Sequence, residues 1–560
     1  YCNWVFNQDF EFYKKKIIEY DDDKNYLKNL RLSEKFQNIL YAKLTNKLNK
    51  IHKINYSDRL WKILLNRWVK FYVESIIFRY SFLIKNIQKS KIKSFHFKFS
   101  KKKIIPNNLS EFYQILNDKE RDNYLYYLIA MYLKKKYPEI KIYNQRSATK
   151  VKFKNNICDS KIIKIKYFFY SIANFFFQFL LKKNNPILLS TYLPKKLELK
   201  LQKKTGSIYY WKHFFDTKNI SLKRYFLNNQ LIKRNKLFKS QKKDVLENII
   251  LELVDEFLPT FYLENFKKIS EHVSKNVIKK YPKFIFTSNE FLFNEFFKFY
   301  TVNCLLSKKT EYYIGQHGSK YGCILDERKT IEEVTADRFI TWGWNENKNN
   351  FPLGVLNTAH RKTYNEASKF DKIYIVSEHL PDRVTVTDTN QQYYKNFQKT
   401  CNFLKKIDKD LYSKVFFRIH HAENKPVRNF LIKKISKISK KINIDFGKKP
   451  LFKKINVNSL VIFTYFSSGF LELLSLNKPS FMLFDLNKKI YIKDFYKDFS
   501  KLKNKLFFNN QDFFATFVNY LFQNKNYTAK LNSDSEIIKF KSKYANYIGS
   551  YNSIYKILKK

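Results

Sequence analysis

Four glycines surround one histidine in the middle of the chain, within the segment 311–344. The chain has only 9 Gly in 560 residues, and four of them lie here, at Gly315, Gly318, Gly322 and Gly343. Glycine permits positive φ and lets a ligand come close to the backbone. A chain this poor in glycine is expected to keep it where the backbone has little choice, so the segment predicts a ligand-binding loop.

His317 is the residue of this loop best suited to chemistry, because the pKa of histidine lies near neutrality and suits a general base. Apolar strands are predicted on both sides, at Tyr312–Ile314 and Arg338–Trp342. The loop then leaves the carboxyl end of a strand, where open α/β sheets bind ligands. We expect Gln316 and Gly318 to line the cleft beside His317. A structural histidine is the alternative, and the replacement bases would then be Glu332, Glu333 or Asp337.

A second candidate site follows the predicted strand Leu460–Phe466. The turn Ser467-Ser468-Gly469 leads into a predicted helix at Phe470–Leu476, with Glu472 one turn inside it. Backbone amides and the helix dipole favour phosphate at such a helix start. Glu472 could accept hydrogen bonds from ribose hydroxyls, so we expect a nucleotide here. The alternative is an ordinary helix capped by serine. The turn is not a P-loop, since no GxxxxGK[ST] pattern occurs.

A third candidate site lies at the end of the predicted strand Val415–Ile419. Side chains alternate along a strand, so Arg418 and His420 should share a face while His421 points away. The pair could neutralise a diphosphate, although an ordinary surface pairing is the alternative.

Glu378 and His379 follow another predicted strand, Lys372–Val376. We expect these two side chains to converge on the same cleft as the Arg418 strand end.

The order of elements from residue 185 onward predicts an α/β fold. Strands are predicted at 186–190, 283–287, 312–314, 372–376, 415–419, 460–466 and 481–484, and a helix at Glu290–Leu306 lies between two of them. The strand, helix and strand within 283–314 indicate parallel strands. The segments ILLSTYLP (187–194) and IYIVSEHLP (373–381) run alike, which indicates the first strands of two similar domains.

Residues 1–180 are predicted to be mainly helical. Apolar residues recur at helical spacing in 33–52, with Ser33 as the expected N-cap, and again in 59–88. We therefore predict an N-terminal helical domain (1–182), a first Rossmann-like, acceptor-side domain (183–360) and a second, nucleotide-donor domain (361–560) that ends in closing helix.

The chain carries a formal net charge of +58, from 107 Lys and Arg against 49 Asp and Glu. Such a charge can indicate nucleic acid or an anionic membrane as partner. Richness in Lys, Asn, Ile, Phe and Tyr with poverty in Gly and Pro is also what an AT-rich genome produces. The lysines are dispersed along the chain, which favours that second explanation.

Cysteine usage and one apolar run bear on the cellular compartment. Five separated cysteines without a CxxC or Cys/His cluster indicate neither a zinc site nor a disulfide framework, and a reducing cytoplasm fits them. The run Tyr167–Leu181 is too short to span a bilayer. A buried helix or a helix lying on the inner face of the cell membrane is expected there. The chain begins at Tyr1 rather than Met, which is compatible with a truncated N-terminus.

The chain also shows a family resemblance. It rests on four segments: YDDDKNYLKNLRLSEKFQNILYAKLTNKLNKIH, RLWKILLNRWV, GQHGSKYG with ADRFITWGW, and FSSGFLELLSLNKPSF. With these the chain resembles bacterial transferases encoded in surface-polysaccharide and O-antigen gene clusters. That family is similar to glycosyltransferases with two Rossmann-like domains (GT-B-like) and to capsule and teichoic-acid polymer transferases. The family's loop often has a further Gly where this chain has Ser319-Lys320.

The resemblance implies transfer of a sugar or related group from a nucleotide-linked donor to a surface glycan or lipid-linked acceptor, in a cleft between two domains. The helix Phe470–Leu476 would hold the nucleotide, and the loop at His317 would face the acceptor. No DxD triplet follows a predicted strand, so no metal and no cofactor beyond the nucleotide-linked substrate are expected. A non-catalytic scaffold of glycan assembly and a basic nucleic-acid-binding protein are the alternatives, although no nucleic-acid motif is present.

Overall fold

The computed structural model describes residues 22–90, 92–100, 105–147, 165, 169, 172, 185–207, 234, 237–238, 244–276, 281–365, 369–379, 390–478, 480–524 and 527–559. The run Tyr167–Leu181 lies outside the described residues apart from Phe169 and Ile172. Within the ranges just given, no helix is long and apolar enough to cross a membrane.

The N-terminal region is mainly helical, as the apolar spacing predicts. Its helices are α1 (Asp22–His52), α2 (Asp58–Leu65), α3 (Arg67–Ser90), α4 (Leu109–Asn117) and α5 (Lys119–Lys136). The predicted helix over 59–88 is interrupted at Asn66, whose φ is 41° and whose ψ is −134°. Stacked aromatic rings pack inside the N-terminal helical region, for example Trp68 against Tyr72 with ring centroids 5.0 Å apart.

The prediction of Ser33 as an N-cap is wrong, because α1 begins at Asp22 and Ser33 lies buried within it. The Ser33 hydroxyl donates to Glu74 at 3.5 Å and accepts from Gln37 Nε2 at 2.8 Å. It therefore joins two helices instead of starting one.

Two strands of the N-terminal region were not predicted. Strands β1 (Ser94–Ser100) and β2 (Lys141–Ser147) pair in parallel, with Ser94 opposite Lys141. The alternation of Phe95, Phe97 and Phe99 with polar residues is typical of a half-buried strand and could have indicated β1.

The first α/β sheet has five strands in the order β3-β4-β5-β6-β7. They are β3 (Ile187–Leu189), β4 (Phe284–Thr287), β5 (Glu311–Gly315), β6 (Arg338–Thr341) and β7 (Asn350–Pro352). The β3–β4 and β4–β5 pairs are parallel, as the strand–helix–strand spacing predicts.

The helices that the structure describes between β3 and β7 are α6 (Lys195–Thr205), α7 (Val245–Glu252), α8 (Val254–Phe257), α9 (Phe266–Asn276), α10 (Glu295–Leu306) and α11 (Ile331–Thr335). The helix predicted from Glu290 begins later than expected. The Asn294 side chain accepts a hydrogen bond from the Phe297 amide at 3.1 Å and caps α10 there.

The second sheet has six strands in the order β10-β9-β8-β11-β12-β13. They are β8 (Lys372–Val376), β9 (Val415–Arg418), β10 (Asn443–Asp445), β11 (Ser459–Phe463), β12 (Phe481–Leu483) and β13 (Phe507–Phe508), and their pairs are parallel. Counted from β8, this is the 3-2-1-4-5-6 order of Rossmann folds. Strand β8 is central, and Val376 pairs with both Arg418 and Phe463.

The chain therefore leaves β8 on one side and returns on the other, which makes the β8–β11 junction the topological switch point. Ligands of such sheets bind at this point, outside the carboxyl ends of the strands. The helices that follow β8 are α12 (Asn390–Lys406), α13 (Lys425–Ser436), α14 (Ser468–Ser475), α15 (Lys493–Ser500), α16 (Gln511–Gln523), α17 (Tyr527–Ser533), α18 (Ser535–Tyr544) and α19 (Tyr551–Lys559). Short 3-10 turns occupy Thr260–Tyr262, Leu325–Glu327, Leu356–Thr358, Lys409–Lys414 and Leu451–Lys453.

The chain forms two compact units. The N-terminal unit contains Leu27–Gly315 and Lys329–Phe339, and the C-terminal unit contains Gln316–Arg328 and Ile340–Lys560. The loop that carries His317 thus belongs to the same unit as the second sheet. The division into three domains at 182 and 360 stays a prediction.

Candidate functional site

Gln316 anchors the loop that follows β5, and only 1% of its surface is exposed. Its side-chain oxygen accepts hydrogen bonds from the Trp342 amide at 2.9 Å and from Trp344 Nε1 at 2.8 Å. Its side-chain nitrogen donates to the Gly318 carbonyl at 2.8 Å. A buried amide with all these partners is held in one position. Gln316, predicted to line the cleft, therefore fixes the loop's shape.

The loop also depends on a glycine that packs against an indole. Gly322 has φ of +69°, and a Cβ there would lie 2.5 Å from the Trp344 ring. Residues other than glycine rarely adopt this φ, and their Cβ would also collide with the ring. The glycine enrichment of this segment thus has a packing cause at Gly322.

His317 lies next to Gln316 and is half-buried. Its ring meets the Tyr321 ring edge-on, with centroids 5.2 Å apart. The bond between Gln316 and the Gly318 carbonyl closes the backbone around it. The imidazole is therefore held between a buried polar anchor and an aromatic ring, which suits either a positioned base or a structural histidine.

The His317 loop contacts the start of α14. The Ser319 amide donates to the Ser468 hydroxyl at 2.9 Å, and the Ser468 hydroxyl lies 3.4 Å from that of Ser319. A Cβ on Gly318 would lie 3.7 Å from the Ser468 oxygen. All three residues belong to the C-terminal unit. The first and second predicted sites are therefore one continuous structure.

The start of α14 has the capped geometry that its sequence predicts. Ser467 is the N-cap, and its hydroxyl accepts from the Gly469 amide at 3.2 Å. A Cβ on Gly469 would lie 3.0 Å from the Phe463 ring, so a small residue is needed where the helix approaches β11. The cap and a phosphate-binding helix start are compatible, because capping leaves other first-turn amides without intrahelical partners.

Glu472 lies buried on α14, with 8% of its surface exposed. Burial raises the pKa of its carboxyl to about 7, against the lowering effects of the Asn357 side chain and Arg361. With a pKa this near neutrality, both protonation states of the carboxyl are accessible, so it can donate to or accept from a hydroxyl. Burial also raises the pKa of Tyr465, which lies two residues after β11; the Ser467 side chain lowers this pKa, and the carboxyls of Glu378 and Glu472 raise it.

Arg418 is already paired within the protein. Its guanidinium donates to Asp445 Oδ2 at 2.6 Å and to the Lys449 carbonyl at 2.6 Å. The ion pair compensates much of its charge, so Arg418 offers a diphosphate less positive charge than the sequence predicts.

The structure brings His379 and His420 together, as expected of residues that follow adjacent strands. Their rings stack with centroids 4.6 Å apart. The prediction that His421 points away is wrong: its ring lies 4.4 Å from that of His420, because β9 ends at Arg418 and side chains no longer alternate beyond it. Burial lowers the pKa of His420 to about 4, and the neighbouring His379 and His421 rings lower it as well. His420 is therefore neutral at physiological pH and can meet a phosphate through a hydrogen bond only.

Glu423 is a site residue that the sequence analysis did not identify. Its side chain is completely buried and accepts from His379 Nδ1 at 3.2 Å. The two residues are 44 positions apart, and only the parallel pairing of β8 with β9 brings them together. Glu378, beside His379, accepts from Asn396 Nδ2 at 3.5 Å.

The acidic residues considered as replacement bases serve the N-terminal unit. Glu332 pairs with Arg67 at 2.6 Å, and Asp337 pairs with Arg59 at 2.8 Å. Glu333 lies in the first turn of α11, which is capped by Thr330. The ion pairs of Glu332 and Asp337 are those of structural residues.

No three His, Cys, Asp or Glu side chains in the described ranges are grouped so that they could hold a metal ion. The absence of a metal requirement stays a prediction.

Comparison with known proteins gives a family but no detailed relative. The sequence model of a family described as LIC12162 family transferase matches residues 2–525. No curated protein matches. Among solved structures, the chain is similar to the UDP-GlcNAc 2-epimerase from Methanocaldococcus jannaschii, at 15% identity and a TM-score of 0.32, over 53% of this chain and 82% of that one. The predicted resemblance to a transferase family is confirmed by the family match.

Proposed function

Because the chain belongs to the LIC12162 family transferases, we propose that it moves a sugar or a related group from a nucleotide-linked donor to a surface glycan or lipid-linked acceptor. The supporting observation is the hydrogen bond from the Ser319 amide to the Ser468 hydroxyl. It joins a histidine-bearing loop to a helix start that lies after β11 at the switch point of a Rossmann-ordered sheet.

The donor's nucleotide occupies the start of α14 in this proposal. The amides of the first turn and the hydroxyls of Ser467 and Ser468 bind phosphate or sugar oxygens. Glu472, at neutral pH part acid and part carboxylate, exchanges hydrogen bonds with ribose hydroxyls. Gly469 allows the helix to begin close to β11.

The phosphates of the donor lie toward the end of β9. Neutral His420 contributes a hydrogen bond, and Arg418 contributes the part of its charge that Asp445 leaves uncompensated. No metal or further cofactor is needed in this proposal.

His317 removes the proton of the acceptor hydroxyl as that oxygen attacks the donor's anomeric carbon. The bond from that carbon to the phosphate oxygen breaks, and its electron pair leaves with the nucleotide. The protein acts in the cytoplasm, at the inner face of the membrane where lipid-linked acceptors are found.

A thermal-shift screen of the full chain against CDP-, UDP-, GDP- and CMP-linked sugars, with EDTA present, tests the proposal. Binding of one nucleotide class should raise the melting temperature, because a ligand that binds only the folded state stabilises it. A melting temperature unchanged by all four classes, both with EDTA and with Mg²⁺ in place of EDTA, would favour a non-catalytic scaffold. A salt-sensitive shift with DNA or RNA alone would favour a nucleic-acid-binding protein.

A further inference from the structure

His379 and Glu423 form a hydrogen-bonded pair beside the proposed phosphate position. The Glu423 side chain is 0% exposed and that of His379 is 33% exposed, with His379 Nδ1 and Glu423 Oε2 3.2 Å apart. A carboxylate oxygen 3.2 Å from Nδ1 orients the imidazole and stabilises its protonated form relative to the neutral one. The pair resembles the His and carboxylate pairs that orient catalytic imidazoles.

The stacked neighbour indicates which ring carries the proton. His420 Nδ1 accepts a hydrogen bond from the Ala422 amide at 3.3 Å, so protonation of that nitrogen would break the bond. Two imidazoles stacked at 4.6 Å do not both become charged readily. Of the two rings, His379, whose Nδ1 faces a carboxylate, is therefore better placed than His420 to carry a second ring proton.

Among the described residues, other charged or titratable groups face the pair from the neighbouring elements. Strand β9 and the turn after it bring Arg418, His420 and His421, β8 brings Glu378, helix α12 brings Tyr393, and α13 brings Arg428. Arg428 donates to the backbone carbonyl of Glu423 at 2.9 Å and fixes the turn that carries the carboxylate. Burial raises the pKa of Tyr393, and Glu423 and Glu378 raise it further, so that hydroxyl stays neutral.

His379 follows the central strand, between the strand ends that carry His420 and Ser468. We propose that His379, held as an imidazolium by Glu423, is a catalytic residue that binds the leaving phosphate of the donor and gives it a proton. This inference rests on the proposed function and deepens it. The His379 imidazolium supplies a positive charge at this position. Asp445 neutralises much of the charge of Arg418, and His420 is neutral.

The transfer step balances in protons and electrons. The acceptor oxygen bonds to the anomeric carbon and its proton passes to His317. The bond between that carbon and the phosphate oxygen breaks, and the electron pair stays on the oxygen. The oxygen takes the proton from His379 Nε2, the ring nitrogen opposite the Glu423 bond. Water then restores both histidines to their starting states.

Inorganic pyrophosphate tests the site without a nucleoside or a sugar. The full chain, with its 9 His labelled at ¹³Cε1, is titrated by NMR in 150 mM salt between pH 6 and pH 8, and the His379 signal is assigned with His379→Gln. We expect saturable shifts of the His379 signal and tighter binding at lower pH. Glu423→Gln should weaken binding at pH 7 about tenfold, the scale of a lost charge-assisted hydrogen bond. It should also move the midpoint of binding to lower pH, because loss of the carboxylate disfavours the imidazolium.

His96→Gln is the matched control, since His96 is exposed on β1 in the N-terminal unit. It should bind pyrophosphate as the wild type does. If Glu423→Gln lowers the melting temperature, His379→Asn is used instead, because His379 is partly exposed. This variant should lose the pH-dependent part of binding.

A His379 signal that does not shift with pyrophosphate overturns the inference. Wild-type affinity and pH dependence in His379→Gln also overturn it. If nucleotide-linked sugars still raise the melting temperature in that case, the proposed function survives without it. Pyrophosphate binding at His379 without any nucleotide binding would refute the proposed function alone.

Discussion

The Ser319 amide and the Ser468 hydroxyl are joined by a 2.9 Å hydrogen bond across 149 positions of the sequence. Because Ser319 lies two residues after His317, the bond fixes the histidine loop against the start of α14. The proposed base and nucleotide site are therefore coupled through a single hydroxyl. Removal of that hydroxyl should disturb both.

Ser468→Ala combined with Glu472→Ala should weaken nucleotide binding by about 1–3 kcal/mol, the scale of lost hydrogen bonds to charged groups. The single Ser468→Ala variant should also lower turnover, since the Ser319 amide loses its acceptor. Calorimetry with the nucleotide found in the thermal-shift screen measures the first effect, and a transfer assay measures the second.

Ser533→Ala is the matched control, because its exposed hydroxyl only contacts the Lys530 carbonyl within α17. This variant should bind the nucleotide as the wild type does. Unchanged nucleotide affinity in the Ser468 and Glu472 double variant would contradict the assignment of α14 to the nucleotide.

The central strands of both sheets could be predicted from sequence, because β5, β8 and β11 are continuous apolar runs ended by polar turns. Strands β10 and β13 could not, because they are very short and carry no pattern of their own. Ser33 was misjudged because its partner, Glu74, lies on another helix 41 positions away.

The sequence predicts which residues lie at the site better than it predicts the side chains that they bind. His379 and His420 were expected to converge and do so. The pairing of Arg418 with Asp445 and of His379 with Glu423 depends on which strands become neighbours. Such partners carry no local signal, and a single sequence does not reveal them.

Gln316→Ala should destabilise the C-terminal unit. The substitution leaves the Trp342 amide and the Trp344 indole nitrogen, both buried, without their acceptor. Each unsatisfied buried donor costs about 1–3 kcal/mol, so for the two donors a loss of about 2–6 kcal/mol in the free energy of unfolding is expected. Denaturant unfolding followed by tryptophan fluorescence measures it. Gln523→Ala, at an exposed position at the end of α16, is the control and should change little. Equal stability of the two variants would show that the Gln316 bonds are dispensable.

Glu472 should make the stability of the protein depend on pH. Its pKa is raised to about 7 in the folded state, from an ordinary value of 4.5. The folded state holds the extra proton between these values, so stability falls as pH rises through this window and stays lower above it. Glu472→Gln removes this loss, so relative to wild type it should gain up to about 3 kcal/mol between pH 4 and pH 8. Denaturant unfolding at the two pH values measures the gain, and a difference that does not change with pH would contradict it.

Attachment to anionic membranes is expected from the apolar run Tyr167–Leu181 and the lysines beside it, Lys164, Lys166, Lys182 and Lys183. Co-sedimentation with liposomes should increase with the fraction of anionic lipid and decrease with salt. A short apolar segment binds weakly by itself, and attraction between the lysines and anionic lipid strengthens the binding. Replacing the four lysines with glutamine should remove the lipid dependence. Equal pelleting with neutral and anionic liposomes would count against the attachment.

His317→Ala should lower turnover by about 10²–10⁴, the usual loss when a general base is removed. Donor affinity and melting temperature should stay near the wild-type values, since Gln316 and Gly322 hold the loop independently of the imidazole. His317→Gln keeps a hydrogen-bonding side chain but cannot take the proton, so it should be almost as slow. His272→Ala on α9, in the N-terminal unit, is the control for loss of a histidine elsewhere and should transfer at the wild-type rate. A large drop in the melting temperature of His317→Ala would identify a structural histidine. Near wild-type transfer by His317→Ala would make Glu332, Glu333 or Asp337 the candidate general base, although Glu332 and Asp337 are already paired with arginines.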